Sequence, residues 1–404
     1  MRPNINNGIR KVVSFLAVLL FFCFVSSPTV LAVGSYTWTA SGGATPAFCY
    51  NLSSSQDGKY VLCANYGGDL LTSSDYGNTW VDQAGSGVHY WYGSGVSSTG
   101  QYMVAADSGG YLYKSSDFGV TWLPLTTAGS RNWGNTTISA NGQVITANAQ
   151  NTEYTSTDGG NNWIPVVPSG ATSLFALGSS RNGQYIVVAD NNSYLYTSSN
   201  YGASFVKDTA AGVHSWYGIS SSPDGEYWVA ADDATNNVFI SNDFGQTWVA
   251  HPIASAGSMY AAMITSDGQT IIAEDGNNNG SIYQSYDGGS SWTADTNAGA
   301  FGWFSLAGSA DLSRIVSGTD SSVLYSGYNP ALYVPPQEAP SQSNDPTTPT
   351  VTTATTPSAP NTGFGVPSQT NPLIVLTSIV AIVLIALGLG LSSNQSAIQT
   401  RKDN

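Results

Sequence analysis

Positive charge is scarce in this 404-residue sequence. It contains 11 lysines and arginines against 25 aspartates and glutamates, so the formal net charge is −14. Nucleic acids and anionic lipid surfaces are recognised through basic patches, so neither is an expected partner. Disorder over most of the chain is also excluded, because disorder requires low hydrophobicity, whereas 41% of these residues are hydrophobic and 12% are aromatic.

Cysteine and histidine are few as well, with three of each. The histidines lie far apart and show no HxxxH-type spacing, so they predict no metal site. Cys23 lies in the N-terminal leader described next, which leaves Cys49 and Cys63 on neighbouring predicted strands. An even pair in an oxidising compartment favours a disulfide. Two small buried thiols are the alternative.

The two ends of the chain carry features of export and anchoring. Residues 1–32 have a basic start, an apolar run and small residues closing at Ala32, which is the order of a secretory signal peptide; an uncleaved anchor is the alternative. Residues 373–391 form an apolar segment long enough to span a bilayer, and basic residues in the tail 392–404 indicate its cytoplasmic end. Residues 335–372 are rich in Pro, Thr and Ser and predict an extended stalk. We therefore expect residues 33–334 to lie outside the cell.

The stalk contains a short motif, Ala359-Pro360-Asn361-Thr362-Gly363. It resembles the LPxTG sorting signal of surface proteins that sortase attaches to a bacterial cell wall, because Pro360, Thr362 and Gly363 match and a hydrophobic segment and basic tail follow. Ala359 replaces the usual Leu, and nine residues separate Gly363 from the hydrophobic segment. The resemblance implies attachment to the cell wall through sortase; a plain membrane helix is the alternative. Both place the domain on the cell surface.

Between these ends the sequence repeats itself. An octapeptide of the form S-x-D-x-G-x-T-W recurs six times, and its third position returns at intervals of 41 to 44 residues. That position is occupied by Asp75, Asp117, Asp158, Asn200, Asp243 and Asp287. Each unit also contains an aromatic-rich segment, a turn and further predicted strands. Four short strands in about 42 residues predict one blade of a β-propeller.

Seven aromatic first strands accompany only six octapeptides. The seventh unit lacks its Thr-Trp strand, whereas Thr37-Trp38 supplies such a pair at the other end of the domain. We therefore predict an all-β fold, a single seven-bladed propeller over residues 33–334. Residues 36–40 are expected to complete the last blade, which leaves no open edge in the ring.

The octapeptides resemble the Asp box, or BNR repeat, of sialidases, sortilin-type receptors, xyloglucan-cleaving glycoside hydrolases and photosystem II assembly factors. The resemblance covers residues 36 to about 330 and implies that each box is a structural turn between the third and fourth strands of a blade. Its Asp can accept backbone N–H bonds, its Gly supplies a positive φ and its Trp is buried between blades. No catalytic role is expected for these carboxylates, because periodic groups at the outer rim cannot converge on one substrate.

The candidate site lies on the opposite face, where loops that lead into first strands meet loops that follow second strands. An aromatic ring covers the apolar face of a sugar while Asp and Asn bond hydroxyls, so this mixture favours binding of carbohydrate or polar peptide. The predicted ligand-binding residues are His89, Trp91, Arg131, Trp133, His214, Trp216, Trp303, Asp107, Asp190, Asp232 and Asp275. As alternatives, the tryptophans form core between blades and the aspartates cap loops.

One loop on this face resembles half of a calcium site. Residues 275–280 match the first half of a D-x-N-x-N-G loop, but Tyr286 occupies the twelfth position, where a bidentate Glu is required. No cofactor is predicted, and calcium at this loop is the alternative.

The residues argue against a sialidase. Its three converging arginines are missing, since the exported domain has only Arg131, Arg181 and Arg314 and Arg181 is predicted on the octapeptide face. The F/Y-R-I-P motif is absent too. The xyloglucan hydrolases pair two propellers, and this chain has room for one.

The resemblance that fits best in size is to the photosystem assembly factors, which bind protein through one propeller. The sequence therefore predicts a non-catalytic cell-surface propeller that binds an extracellular glycan or protein. A secreted glycoside hydrolase is one alternative, because two of the four loop aspartates could form the carboxylate pair that glycosidases need, about 5 to 9.5 Å apart. A self-associating structural surface protein is the other.

Overall fold

The structure is a computed structural model that describes residues 34–42 and 48–333. The described residues form 29 β-strands and two short 3-10 helices, Ala84–Ser86 and Thr126–Ala128. No helix in this part of the chain is long and apolar enough to cross a membrane. The predicted signal peptide, stalk, sorting motif, membrane segment and tail lie outside the described residues.

Strands follow one another in sets of four, and each set forms an antiparallel blade; the second strand of the first blade also pairs with the first strand of the next, which joins those two blades in one sheet. The first strand of the chain, β1 (Thr37–Ala40), belongs to the last blade. Blade 1 contains β2 (Cys49–Ser54), β3 (Val61–Gly68), β4 (Leu70–Ser73) and β5 (Val81–Gln83). Blade 2 contains β6 (His89–Val96), β7 (Met103–Gly110), β8 (Leu112–Ser115) and β9 (Leu123–Pro124). A short strand, β10 (Arg131–Asn132), pairs with β7.

The remaining blades repeat the same order. Blade 3 contains β11 (Thr136–Ile138), β12 (Ile145–Ala149), β13 (Thr152–Ser156) and β14 (Ile164–Val166). Blade 4 contains β15 (Leu174–Ser179), β16 (Ile186–Asp190), β17 (Leu195–Ser198) and β18 (Val206–Asp208). Blade 5 contains β19 (Trp216–Ser221), β20 (Trp228–Asp232), β21 (Asn237–Ser241) and β22 (Val249–Pro252). Blade 6 contains β23 (Met259–Ile264), β24 (Ile271–Asp275), β25 (Ile282–Ser285) and β26 (Thr293–Ala294). Blade 7 contains β27 (Trp303–Gly308), β28 (Arg314–Thr319) and β29 (Leu324–Tyr328), followed by β1.

The ring closes through the N-terminal strand. β1 runs antiparallel to β29, with Trp38 opposite Gly327. The indole N–H of Trp38 donates to Asp295 Oδ2 in blade 6 at 3.0 Å, and its ring packs 5.7 Å from that of Trp303. The Tyr36 side chain is fully buried. The predicted seven-bladed propeller, closed by residues near the start of the domain, is therefore confirmed.

Each octapeptide forms a turn whose third side chain, Asp in five of them and Asn200 in the fourth, accepts a hydrogen bond from its own turn. In the first, Asp75 accepts the backbone N–H of Thr79 at 2.9 Å and its hydroxyl at 2.7 Å, while the indole of Trp80 donates to the Gly77 carbonyl at 3.1 Å. Burial raises the pKa of Asp75, but hydrogen bonds from Thr79 and Ser73 outweigh it and hold this pKa below its ordinary value. These ionised carboxylates hold the turns that join third to fourth strands.

A disulfide joins Cys49 on β2 to Cys63 on β3, with the two Cα atoms 5.3 Å apart. Both cysteines are buried, in a cluster with Leu324 of blade 7. The disulfide therefore joins the first two strands of blade 1, which packs against blade 7.

Glu153 is an exception to the apolar packing between blades. It lies on the third strand of blade 3, and the register of the sheets matches it to an aliphatic residue in each of the other blades. Those residues are Leu70, Leu112, Leu195, Val238, Ile282 and Leu324. Glu153 is 1% exposed, and neither carboxyl oxygen has a hydrogen-bond partner. Burial raises the pKa of Glu153 well above its ordinary value, which favours the neutral acid.

Truncating the closing strand should weaken the whole ring. We expect Trp38→Ala to lower the free energy of unfolding by about 3 kcal/mol, because it removes ring packing and leaves a buried carboxylate oxygen short of a donor. Denaturant unfolding followed by circular dichroism measures this change. Val249→Ala, on the exposed edge of blade 5, is the control and should stay within about 0.5 kcal/mol of the wild type. Equal stability of the Trp38 and Val249 variants would contradict closure by β1.

Replacing Glu153 with the residue type of the other blades should stabilise the protein. We expect Glu153→Leu to gain about 1–3 kcal/mol at pH 8, because an unpaired buried carboxyl is removed.

The pH dependence of that gain follows from the direction of the pKa shift. The folded state holds the proton more tightly than the unfolded state, so stability falls as pH rises from the ordinary pKa of Glu toward the raised one. Burial also raises the pKa of Glu274 to about 8, although a hydrogen bond from Ser317 opposes the rise. Glu274 therefore adds a further loss of stability as the pH rises. The gain from Glu153→Leu should therefore be smaller at pH 4. Glu153→Gln should make stability less dependent on pH but should not add the stability gained from a buried leucine. If the gain from Glu153→Leu did not change with pH, the raised pKa of Glu153 would be refuted.

Candidate functional site at the channel mouth

The face opposite the octapeptide turns contains two histidine–aspartate pairs. His89 Nδ1 lies 2.8 Å from Asp107 Oδ2 in blade 2, and His214 Nδ1 lies 2.9 Å from Asp232 Oδ2 in blade 5. Each imidazole packs edge-on against the tryptophan two residues further along the chain, at 4.9 and 5.0 Å between ring centroids. The structure thus brings four predicted site residues together as two separate pairs.

The loop aspartates hold their own loops. Asp190 accepts the backbone N–H groups of Thr172 at 3.1 Å and Ser173 at 2.6 Å, and Asp275 accepts that of Gly257 at 2.9 Å. The four aspartates are buried, and burial raises the pKa of Asp107 even though His89 opposes the rise. These contacts favour the alternative that the aspartates cap loops, and their predicted contact with a ligand stays a prediction. The residues concerned are Asp107, Asp190, Asp232 and Asp275.

The predicted tryptophans form core. None of the four is more than 1% exposed, so their prediction as ligand contacts is wrong and the alternative of packing between blades holds. The first strand of a blade alternates, and these residues point toward the third strand of the preceding blade, as Trp91 does in its cluster with Leu70. The buried residues are Trp91, Trp133, Trp216 and Trp303.

Two other basic residues, the predicted Arg131 and His251, lie apart from these pairs. Arg131 is exposed on the same face, with its guanidinium 4.7 Å from the ring centre of Tyr154. His251 is on β22, and its Nδ1 lies 3.0 Å from the carbonyl of Gly289 in the next octapeptide turn, away from the candidate site.

The aromatic residues that meet at the axis follow the buried position at the start of six of the seven blades; blade 3 has Gly134 there. Rings from blades 5 and 7, which are not adjacent, lie 6.5 Å apart, so the cluster closes across the channel mouth. Stacking is tightest between Tyr217 and Tyr260, at 4.3 Å and 18°. Sequence reasoning missed these residues, although their alternation with the tryptophans was the available signal. The aligned residues are Tyr50, Tyr92, Phe175, Tyr217, Tyr260 and Phe304.

The cluster reaches solvent over blades 1 and 2. Tyr66 is 39% exposed and Tyr90 is 56% exposed, and their rings lie 5.0 Å apart. Tyr66 continues inward to Tyr50 and Tyr92, at 5.4 Å from each. We refer to Tyr50, Tyr66, Tyr90 and Tyr92 as the tyrosine face. A cleft of about 450 Å³ adjoins it, lined by Gly67, Val88, His89, Tyr90, Asp107, Ser108 and Gly109.

The hydroxyl groups of Tyr92 and Tyr260 remain protonated at neutral pH. Burial, with the neighbouring Tyr66, raises the pKa of Tyr92 to about 12. Burial followed by the charge of Asp233 raises the pKa of Tyr260. Burial also raises the pKa of the half-buried Asp233. The face therefore offers aromatic surface together with hydroxyl donors.

The loop that resembles half of a calcium site is held by the protein's own donors. Asp275 Oδ1 accepts the N–H groups of Ser258 at 3.2 Å and Asn277 at 3.1 Å. In the part of the chain that the structure describes, no group of three or more His, Cys, Asp or Glu side chains is placed to hold a metal ion.

The loop aspartates should therefore behave as structural residues. We expect Asp190→Ala to lower the free energy of unfolding by about 2 kcal/mol, because it leaves loop N–H groups without an acceptor. Asp190→Asn, which keeps one acceptor oxygen, should cost less. Denaturant unfolding provides the measurement, and unchanged stability in Asp190→Ala would show that the carboxylate is available for another role.

Comparison with solved structures places the fold among known propellers. YCF48 from Cyanidioschyzon merolae superposes with a TM-score of 0.57 at 13% identity, over 72% of this chain and 98% of that one. YCF48 bound to D1 peptide superposes with a TM-score of 0.57 at 13% identity, over 72% of this chain and 96% of that one. The GH74 enzyme of Niastella koreensis superposes with a TM-score of 0.52 at 18% identity, over 72% of this chain and 43% of the enzyme. At these identities the likeness shows the fold alone. The sequence matches no protein-family model and no curated protein.

Proposed function

We propose that this protein is a non-catalytic binding module displayed at the cell surface, and that its tyrosine face holds a protein partner. The observation that carries the proposal is the continuous cluster of rings at the channel mouth, which reaches solvent at Tyr66 and Tyr90. Tyrosine is enriched in protein interfaces because it supplies a large, rigid surface with a polar tip at low entropic cost.

The loop carboxylates favour binding over hydrolysis. A glycosidase needs two carboxyl groups free to act on one glycosidic bond. The oxygens of Asp107 and Asp232 instead face histidines, and those of Asp190 and Asp275 accept loop N–H groups. A fold with these carboxylates committed to loop structure supports recognition of a partner.

Two further observations support a protein partner outside the cell. The structurally similar YCF48 has been solved bound to D1 peptide, so this fold is compatible with peptide binding. The disulfide between Cys49 and Cys63 suits an oxidising compartment. The predicted leader, stalk and anchor supply the route to the cell surface.

Site-specific photo-cross-linking tests the proposal on intact cells that make the full-length chain. A photoreactive residue replaces Val88, which is 70% exposed beside Tyr90, and the control position is Val249, 61% exposed on the edge of blade 5. We expect a protein cross-linked from position 88 and not from position 249. Once identified and purified, that protein should bind the full chain, and Tyr90→Ala should weaken binding about thirtyfold by calorimetry.

Each remaining outcome opposes the proposal. Cross-links only to a second copy of this chain favour the structural, self-associating alternative. Release of reducing sugar from a polysaccharide panel, lost on Asp107→Asn, favours the hydrolase. A cross-linked protein that binds Tyr90→Ala as tightly as the wild type removes the tyrosine face from the interface.

A further inference from the structure

A second cleft, of about 600 Å³, lies at the outer edge of the ring between blades 4 and 5. We refer to it as the edge cleft. Its wall is formed by β18, by the end of β17 and by the octapeptide turn of blade 5. Because β18 is the outermost strand of its blade, the edge cleft is remote in the fold from the first strands that carry the tyrosine face.

The apolar wall of the edge cleft is a pair of rings. Phe244 lies 4.7 Å from Tyr185, tilted by 33°, and is 37% exposed. Its backbone φ is 63°, a left-handed conformation that bulky residues rarely adopt. Blades 3 and 6 place Gly159 and Gly288 at this position of the turn. Blade 5 thus keeps a large side chain where glycine would remove backbone strain.

Blades 1 and 2 provide an internal comparison. Phe118 stacks on Tyr60 there at 4.8 Å, in the same turn position and with a φ of 62°. The polar groups beside that pair satisfy each other, because Gln83 Nε2 donates to Thr72 Oγ1 at 2.6 Å. The aromatic pair alone is therefore a shared feature of the repeat.

The polar groups of the edge cleft are arranged differently. Asp208 stands where blade 1 has Gln83, and its Oδ1 accepts the N–H of Ala210 at 2.7 Å. Its Oδ2 is buried with no hydrogen-bond partner. The neighbouring Lys207 points to the opposite face of blade 4, where its ammonium lies 3.7 Å over the ring of Tyr194.

We propose that the edge cleft is a saccharide-binding site, separate from the tyrosine face. The ring of Phe244 covers the apolar face of a sugar, while an entering hydroxyl, directly or through a water, supplies the donor that Asp208 Oδ2 lacks. The Gln246 amide donates to a further sugar oxygen. Hydroxyl side chains line the rest of the cleft. A cleft that is apolar mainly at its ring pair and polar elsewhere suits a saccharide better than an apolar peptide. The hydroxyl residues are Thr197, Ser198, Ser199, Ser204 and Thr209.

The test uses the full-length chain and four probes, the hexaoses of cellulose, chitin, mannan and polygalacturonate. Calorimetry and saturation-transfer NMR should detect binding of at least one. Phe244→Ala should weaken that binding about tenfold, since it removes the stacking ring. Phe118→Ala, which loses the equivalent ring pair, is the matched control and should bind as the wild type does. Asp208→Asn should also weaken binding, and it tests the proposal if Phe244→Ala does not fold.

A further variant separates this site from the proposed function. Tyr90→Ala should leave hexaose binding unchanged. The saccharide site at the edge cleft and the protein-binding role of the tyrosine face can therefore fail independently of each other. No binding of any hexaose up to about 10 mM, a concentration that corresponds to negligible affinity, overturns the proposal. Equal losses in Phe118→Ala and Phe244→Ala overturn it too, as does a loss confined to Tyr90→Ala.

Discussion

The packing of each blade against the next is the interaction on which this structure depends. A four-stranded blade cannot bury both of its faces by itself, so stability comes from a ring in which every face meets a neighbour. The side chains that fill these contacts are large, as in the buried clusters around Trp91, Trp133 and Trp216. One open blade would expose an unpaired edge and a row of such residues. Closure by β1 and β29, with Trp38 against Trp303, therefore supports every other blade contact.

The same packing decides which side chains remain for binding. Residues of a first strand alternate between the contact with the preceding blade and the channel. Trp91 belongs to the first group, and Tyr92, next in sequence, belongs to the second. Because the first group is fully used in holding the ring, only the second can form a surface at the channel mouth. The tyrosine face is thus a consequence of the period of a β-strand applied to a run of consecutive aromatic residues.

This explains how far the sequence alone could go. The repeat length, the octapeptides and the position of Thr37-Trp38 predicted seven blades and their closure, since these depend on spacing. The site was predicted less well, because His89-Tyr90-Trp91-Tyr92 is aromatic throughout and its composition does not say which rings face the channel. The aspartates raised a similar difficulty. An Asp after a strand is equally consistent with a ligand contact and with a loop cap, and only the N–H groups of the preceding loop, seen at Asp190, separate the two.

Differences between equivalent positions carry information that the shared pattern lacks. The octapeptide Asp residues are explained by their turns, and the tryptophans by packing, so a role beyond the fold has to be sought where one blade departs from the rest. Glu153 departs by placing an unpaired carboxyl among aliphatic positions, at a cost in stability. Asp208 departs by leaving a buried carboxyl oxygen without a hydrogen-bond partner beside an aromatic pair that blades 1 and 2 also possess. Since the ring closes equally well with the satisfied Gln83 arrangement, the fold gives no reason for the polar groups of blade 4, and recognition of a polar ligand does.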